Sequence, residues 1–414
     1  MTKNRAARRS RRNFLQLSAG AAAAGALAAT TAAKAAGAAT AFGSSPEFAA
    51  PQTRTDLGPH PKDAVSIDAN ENPLGPCTTA REAVAKMAPQ GGRYSDWLTR
   101  DLIATFAAME GVKPEYVRAF AGSGGPLHYT VLSFTSPAKS YVTADPGYES
   151  GMHGAEVAGA RVVKVPLTKT YAHDIKAMLA AAPDAGLFYV CTPNNPTGTL
   201  TSHSDIEYLV ANKPKGSIVM VDEAYIHFSD GTSVLDLVKA DKDVVILRTF
   251  SKIYGMAGLR AGFAIARPDL LEKISKRSGW NPMPITAVAA ATASLNHDGL
   301  ISERKQINTR TREETFAWLA SKGYAFVPSQ SNCFMVDTKR PAKEAIAAMA
   351  AQNVFIGRVW PVWPTHVRVT VGTPEEMAKF REAFEKVMTG AVVAKQSALA
   401  RPQTWDGIGP VRYC

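Results

Sequence analysis

The sequence predicts an α/β protein built on a largely parallel sheet flanked by helices, with a smaller α+β domain beside it. Two observations carry that expectation. Short apolar runs at 141–144, 161–166, 187–191, 218–222, 244–249 and 261–266 alternate with stretches of helical spacing at 174–182, 204–211 and 268–277, which carry acids in their first turns. Runs so short and so rich in β-branched residues suit buried strands, and strands that alternate with helices pair in parallel across crossover connections. After residue 300 the order changes. A long helical stretch containing 304–319 leads to apolar runs at 324–327, 333–337 and 367–371, with helical 342–351 among them.

Domain boundaries follow from these changes of pattern. Residues 91–299 are expected to form the large domain and 300–390 the small one, completed by the segment 42–90. Within that segment, 42–65 is rich in Pro, Ser, Thr and Gly and reads as an extended arm, while 391–414 reads as a tail. With 414 residues, 46% of them apolar, the chain can bury an extensive core.

The formal charge of +11 is concentrated at the start. Lys3, Arg5, Arg8, Arg9, Arg11, Arg12 and Lys34 fall within 1–41 with no acid among them, and setting those seven aside leaves +4. So small and scattered a surplus does not argue for nucleic-acid binding. In the same leader Ser10-Arg11-Arg12-Asn13-Phe14-Leu15-Gln16 precedes an alanine-rich apolar stretch over 17–33 and small residues up to 41. This order resembles a bacterial twin-arginine (Tat) signal peptide over 1–41, with Gln16 where lysine is usual. It implies the Tat export machinery as a partner, a periplasmic location and a soluble mature chain. The apolar run is short and mostly alanine, and no later segment offers the roughly 20 apolar residues of a membrane span. Cys77, Cys191, Cys333 and Cys414 lie far apart, with no Cys-x-x-Cys pair and no adjacent histidine cluster, so no metal site is expected. Disulfide pairing stays open.

Four segments stand at or just beyond the ends of expected strands: Pro193-Asn194-Asn195-Pro196-Thr197-Gly198, Asp222-Glu223-Ala224-Tyr225, Ser251-Lys252 and Gly258-Leu259-Arg260. In open α/β sheets that edge is where ligands bind. These segments, with Asn70-Glu71-Asn72-Pro73-Leu74-Gly75-Pro76, Arg93-Tyr94-Ser95-Asp96 and Val367-Arg368-Val369-Thr370-Val371-Gly372-Thr373, resemble the fold-type I, class I/II aminotransferases, and specifically the histidinol-phosphate aminotransferase branch. The matches run in order from about residue 68 to 387.

The resemblance implies pyridoxal 5′-phosphate as cofactor and assigns roles by position. Lys252 would be the Schiff-base lysine and, once liberated, the base for the Cα proton, since lysine can do both. Asp222 would keep the pyridine nitrogen protonated, although an Asp there could also cap a helix. Asn195 and Tyr225 would hydrogen-bond the ring hydroxyl oxygen, and Tyr148 would stack on the ring. Ser251, Arg260 and the Gly122-Ser123-Gly124-Gly125 turn would hold the phosphate, with Gly124 and Gly125 opening a helix. Pro126 departs from the family in lacking an N–H there, yet proline suits a first helical turn. Tyr94 would reach the cofactor phosphate of a second subunit, which implies a homodimer with shared active sites.

For substrate, the resemblance points to Asn72, Asn332, Arg358 and Arg368, with Arg368 on the substrate anion and Cys333 standing where phenylalanine is usual. The run Arg358-Val359-Trp360-Pro361-Val362-Trp363-Pro364-Thr365-His366-Val367-Arg368 is stiff and aromatic. It suits either a cover over an aromatic or imidazole side chain, with Arg358 available for a second anion, or packing of the small domain. The expected activity is transamination between an amino acid, or a histidinol-phosphate-like amine, and a 2-oxo acid. The motifs do not choose which Cα bond breaks, so a decarboxylase or lyase on the same fold stays open. A catalytically silent ligand-binding envelope protein is disfavoured by the intact Lys252, Asp222 and Arg260.

Overall fold

The computed structural model describes residues 60–280 and 282–390. The expected leader at 1–41, the first part of the arm, and the tail at 391–414 with Cys414 lie outside the described residues. The strands are β1 (Val65–Ile67), β2 (Val117–Phe120), β3 (Ser140–Asp145), β4 (Val162–Pro166), β5 (Ala185–Cys191), β6 (Ile218–Asp222), β7 (Val244–Thr249), β8 (Gly262–Ile265), β9 (Phe326–Val327), β10 (Cys333–Asp337), β11 (Val354–Ile356) and β12 (His366–Thr370).

One seven-stranded sheet runs in the order β2-β8-β7-β6-β5-β3-β4. From β7 to β4 its neighbours are parallel, and β8 lies antiparallel to both β7 and β2. Every residue of β5, β6, β7 and β8 is buried, which explains why these strands read as continuous apolar runs: helices cover both faces. The six expected runs all became strands, within a residue or two at their ends. β2 was not anticipated, because an edge strand of four residues with Arg118 exposed carries little pattern.

A second core gathers around β12-β10-β9, which is antiparallel, and the parallel pair β1-β11. Val65, Ile67, Phe334, Val336, Val367, Val369, Phe380 and Phe384 pack there. The described part of the segment 42–90, expected to be an arm and part of the small domain, serves both cores. β1 joins this second core, whereas the helix Thr78–Met87 packs on the helix Ile285–Leu295 and buries Cys77 and Ala80 with the large sheet. Its alanine-rich face fits close to another alanine-rich helix. Among the described residues no helix is long and apolar enough to cross a membrane.

The strand ends that carry the chemistry are pinned by a buried ion pair. Arg248, on β7, donates from Nε to Glu223 Oε2 at 2.6 Å and from Nη2 to Ser233 Oγ at 2.9 Å. Glu223, next to Asp222, also accepts from the Val234 N–H at 2.9 Å, and both charged residues are buried. His227 lies 3.1 Å from Arg248 Nη1; burial and that charge hold its pKa down at about 3, so it stays a neutral acceptor. The pair fixes β6 against β7 just where Asp222 and Lys252 leave them. Glu223→Ala should therefore cost roughly 3–5 kcal/mol, because it leaves the buried guanidinium only the more distant Glu110 carboxylate, at 3.6 Å. Urea denaturation checks this, and a loss below about 1 kcal/mol would show that the pair does not anchor the edge.

Candidate active site

Lys252 sits three residues beyond β7, in the turn that leads back to β8. Its Nζ donates to the Asn70 carbonyl at 3.0 Å and lies 5.5 Å from the centre of the Tyr225 ring. Burial first, and the nearby Arg368 charge second, lower its pKa from the ordinary lysine value to about 8. Asn70 holds that carbonyl in place from a left-handed backbone (φ 53°), which asparagine tolerates better than most residues. Its side chain donates to Tyr225 Oη at 3.0 Å and to Cys333 Sγ at 3.2 Å, and its N–H donates to Thr370 Oγ1 at 2.8 Å. The Tyr225 hydroxyl accepts from Asn70 and so keeps its own proton to offer, and burial raises its pKa well above the usual tyrosine value.

Asp222 ends β6 fully inside the protein. Its carboxylate accepts from Tyr189 Oη at 2.8 Å and from the Ala224 N–H at 3.1 Å, so it caps its own turn as well as facing the site. Burial raises its pKa, opposed by those two donors and by the Lys252 charge. Arg368, on β12, is likewise buried. It donates from Nη1 to Asn195 Oδ1 at 2.9 Å and from Nη2 to the Asp68 carbonyl at 2.6 Å, while its Nε has no partner. With its oxygen facing Arg368, Asn195 turns its NH2 group the other way. Tyr148 lies half-buried beyond β3, within electrostatic reach of Asp222 and Arg358.

A third group of residues forms a polar cradle. The helix Gly124–Phe134 starts at Gly124 despite Pro126, whose missing N–H falls in the first turn; Leu127 N–H closes the turn onto the Ser123 carbonyl. Arg260 donates from Nη1 to Ser251 Oγ at 3.2 Å and to the Ala257 carbonyl at 2.9 Å. Gly122 is needed where it stands, because its φ is 86° and a Cβ would collide with the Arg260 guanidinium. A Cβ on Gly124 would meet nothing within 4 Å, so the space in front of this helix start is open. Backbone N–H groups, a hydroxyl and a guanidinium converging on open space suit a phosphate.

Several expected residues already have protein partners. Asn72 donates to the Ile253 carbonyl at 3.1 Å and accepts from the Leu74 N–H at 3.1 Å, bracing the chain next to Lys252. Asn332 is turned onto the Asn70 and Glu71 carbonyls at 3.2 and 3.3 Å. Both brace the backbone on either side of Lys252, a pairing that short amide side chains make readily. Tyr94 is 67% exposed, its ring edge against Trp280, and joins none of the contacts above. Arg358, expected to be available for a second anion, is already paired with Glu149. Trp360 is buried against Val327 and Met335, so it packs the small domain instead of covering a substrate.

A family model, aminotransferase class I and II, matches residues 62–384. The chain belongs to that family. It is similar to a histidinol-phosphate aminotransferase of Moorella thermoacetica, 32% identical over 79% of this chain and 86% of the relative. It is also similar to an aromatic amino acid aminotransferase of Rhodococcus opacus, 36% identical over 80% of this chain and 94% of the relative. Among solved structures, the histidinol-phosphate aminotransferase of Sinorhizobium meliloti in complex with pyridoxal-5′-phosphate superposes with a TM-score of 0.72 at 27% identity, covering 80% of this chain and 92% of that one.

Placed on this aminotransferase, the motif residues Lys252, Asp222, Tyr225, Asn195, Ser251, Arg260 and Arg368 come to one edge of the sheet. Three further residues were missed. Asn70 was visible inside the Asn70–Pro76 motif but was not singled out. Tyr189 is one residue in an unbroken apolar run and gave no signal, and Glu149 follows Tyr148 with no pattern of its own.

Proposed function

We infer that Lys252, Asp222 and Arg368 form the working centre of this aminotransferase, and that its amino donor carries an aromatic or imidazole side chain. As a member of its family the chain is a pyridoxal-phosphate-dependent transaminase that exchanges an amino group between an amino donor and a 2-oxo acid. The observation that carries the reading is a set of buried charges without charged hydrogen-bond partners. Asp222 has two neutral donors, and Arg368 has two neutral acceptors and an unpaired Nε. Buried ions held this way favour an incoming group of opposite charge.

The residues fit the cofactor. Asp222 would face its pyridine nitrogen, Asn195 and Tyr225 its ring hydroxyl, Tyr148 its ring face, and Gly124, Gly125, Ser251 and Arg260 its phosphate. When bound, pyridoxal phosphate supplies an aldehyde for amine exchange and an electron-withdrawing ring. Asp222 holds the proton on the ring nitrogen. Arg368 would bind the substrate carboxylate and so orient the Cα bonds relative to Lys252. The Lys252 amine, once displaced from the cofactor by substrate, would take the proton at Cα as general base and hold it for return as the acid. Support for the aromatic class comes from the aromatic amino acid aminotransferases among the relatives.

The test is a panel. Holoenzyme mixed with phenylalanine, histidinol phosphate or alanine should lose the absorbance of its aldehyde form fastest with the first two. Arg368→Ala should cost about 3 kcal/mol in kcat/KM, since it leaves a substrate carboxylate without its partner. Equal rates for all three amines would end the aromatic reading.

The Lys252 assignment has its own check. The neutral amine is the nucleophile, so the rate of cofactor uptake by the apoenzyme should rise with pH and level off above about 8, the value to which burial lowers this group. A midpoint near the ordinary lysine value, or a borohydride-trapped adduct on another lysine, would overturn it. Lys252→Ala should show no trapped adduct.

We also propose that the chain is exported folded by the Tat machinery and works in the periplasm as a homodimer. The order of arginine pair, apolar stretch and small residues supports export, and the exposed Tyr94 supports a shared active site. Replacing Arg11 and Arg12 with lysine should abolish the periplasmic pool; an unchanged pool would remove the export reading. Sedimentation as a monomer would remove the dimer.

A further inference from the structure

One more arginine stands beside Arg368. Arg358 follows β11, and the Gly357 N–H donates to the Arg368 carbonyl at 2.9 Å, which sets the two arginines side by side. A Cβ on Gly357 would meet the Asp68 carbonyl oxygen at 2.5 Å, so the chain there has no room to shift. Both guanidiniums lie over the Trp360 ring, at 4.9 Å for Arg358 and 5.6 Å for Arg368. The Trp360 Nε1 donates to the Gly147 carbonyl at 2.9 Å and ties this plate to the loop that carries Tyr148 and Glu149.

The two arginines differ in their partners. Arg368 has neutral acceptors, whereas Arg358 is hydrogen-bonded and ion-paired to the Glu149 carboxylate. Glu149 and Arg358 are each only a third exposed, so solvent screens their field in part. That field reaches Arg368, whose charge is opposed by Arg358 and favoured by Glu149. The corner therefore presents one uncompensated cation beside one neutralised pair. An incoming carboxylate at Arg368 meets favourable charge. A second anion, on the substrate side chain, meets the Glu149 carboxylate and a guanidinium that is already taken.

We propose that Glu149 is a specificity-determining residue: by holding Arg358 it sets the enzyme against substrates with anionic side chains and in favour of those with uncharged ones. This rests on the transaminase reading above and narrows its substrate to amines with an uncharged side chain over those that carry a second carboxylate or a phosphate on the side chain. Glu149 acts through Arg358 as a positioning residue and touches no reacting atom. The pairing also explains how a chain can keep the second arginine and still decline a second anion.

Single-turnover kinetics on the holoenzyme test it, with phenylalanine, O-phosphoserine and glutamate as the amines, the last two carrying a second anion on the side chain. Wild type should favour phenylalanine over both anionic amines. In Glu149→Gln, kcat/KM for O-phosphoserine and glutamate relative to phenylalanine should rise at least tenfold, mainly through KM. Adding Arg358→Ala should remove that gain, because the freed guanidinium is what captures the anion. Glu149→Ala reads the same charge loss if the glutamine variant folds poorly, and Glu149→Asp should keep the wild-type ratio. A ratio that does not move, or all three amines slowed in proportion, would show Glu149 to be a structural ion-pair partner only. Wild-type enzyme that transaminates none of the three would instead remove the transaminase reading, and this inference with it.

Discussion

The backbone carbonyl of Asn70 is the point on which the site turns. It accepts from Lys252 Nζ and from Asn332 Nδ2, while the rest of the residue reaches Tyr225, Cys333 and Thr370. Those partners come from the turns after β6 and β7 and from the edges of β10 and β12, so one residue joins the large sheet to the second core. The left-handed backbone aims the carbonyl inward, and the side chain then has to satisfy what surrounds it. Asparagine can do both, since it tolerates positive φ and carries a donor and an acceptor on one short stem. A residue without the amide would leave the Tyr225 hydroxyl short of its donor, and a bulkier one would resist the backbone.

Around that hub the structure keeps ions apart that elsewhere would neutralise one another. Asp222 and Arg368 are both buried, yet their hydrogen bonds go to neutral groups. Such an arrangement is costly for the empty protein and favourable for a ligand that brings the missing charges. By contrast, Glu223 and Arg248 neutralise each other one residue away from Asp222 and four from Lys252. The fold thus places a complete ion pair behind the sheet edge, where it stabilises, and incomplete ones in front, where they bind.

Much of this could be read from the residues, and the exceptions have physical reasons. The strands at 218–222, 244–249 and 333–337 were legible because burial on both faces leaves continuous β-branched runs, whereas β1, β2 and β11 are three or four residues long and owe their pairing to distant partners. Lys252, Asp222, Tyr225, Asn195 and Arg260 were legible because each stands at or near a strand end, Arg260 just before β8, where the topology brings loops together. Asn72 and Asn332 were placed near the site by their motif, but their amides pair with backbone, a choice set by local geometry that sequence spacing does not encode. Arg358 looked available because its partner, Glu149, is 209 residues away in the chain.

Burial also separates the two nucleophiles that share the centre. Cys333 lies 3.2 Å from the Asn70 amide, inside the same enclosure as Lys252. The thiol could compete for an aldehyde only as a thiolate, and the amine only when neutral. Removing water disfavours whichever form is charged. The same desolvation therefore lowers the Lys252 pKa toward its reactive form and raises that of Cys333 away from its own, even though Arg368 and Lys252 pull the thiol the other way. Cys191, buried on β5 and close enough to Asp222 to feel its charge, is raised further for the same reason. A dry site is thus enough to leave the amine as the group that reacts, with no need to exclude sulfur from the neighbourhood.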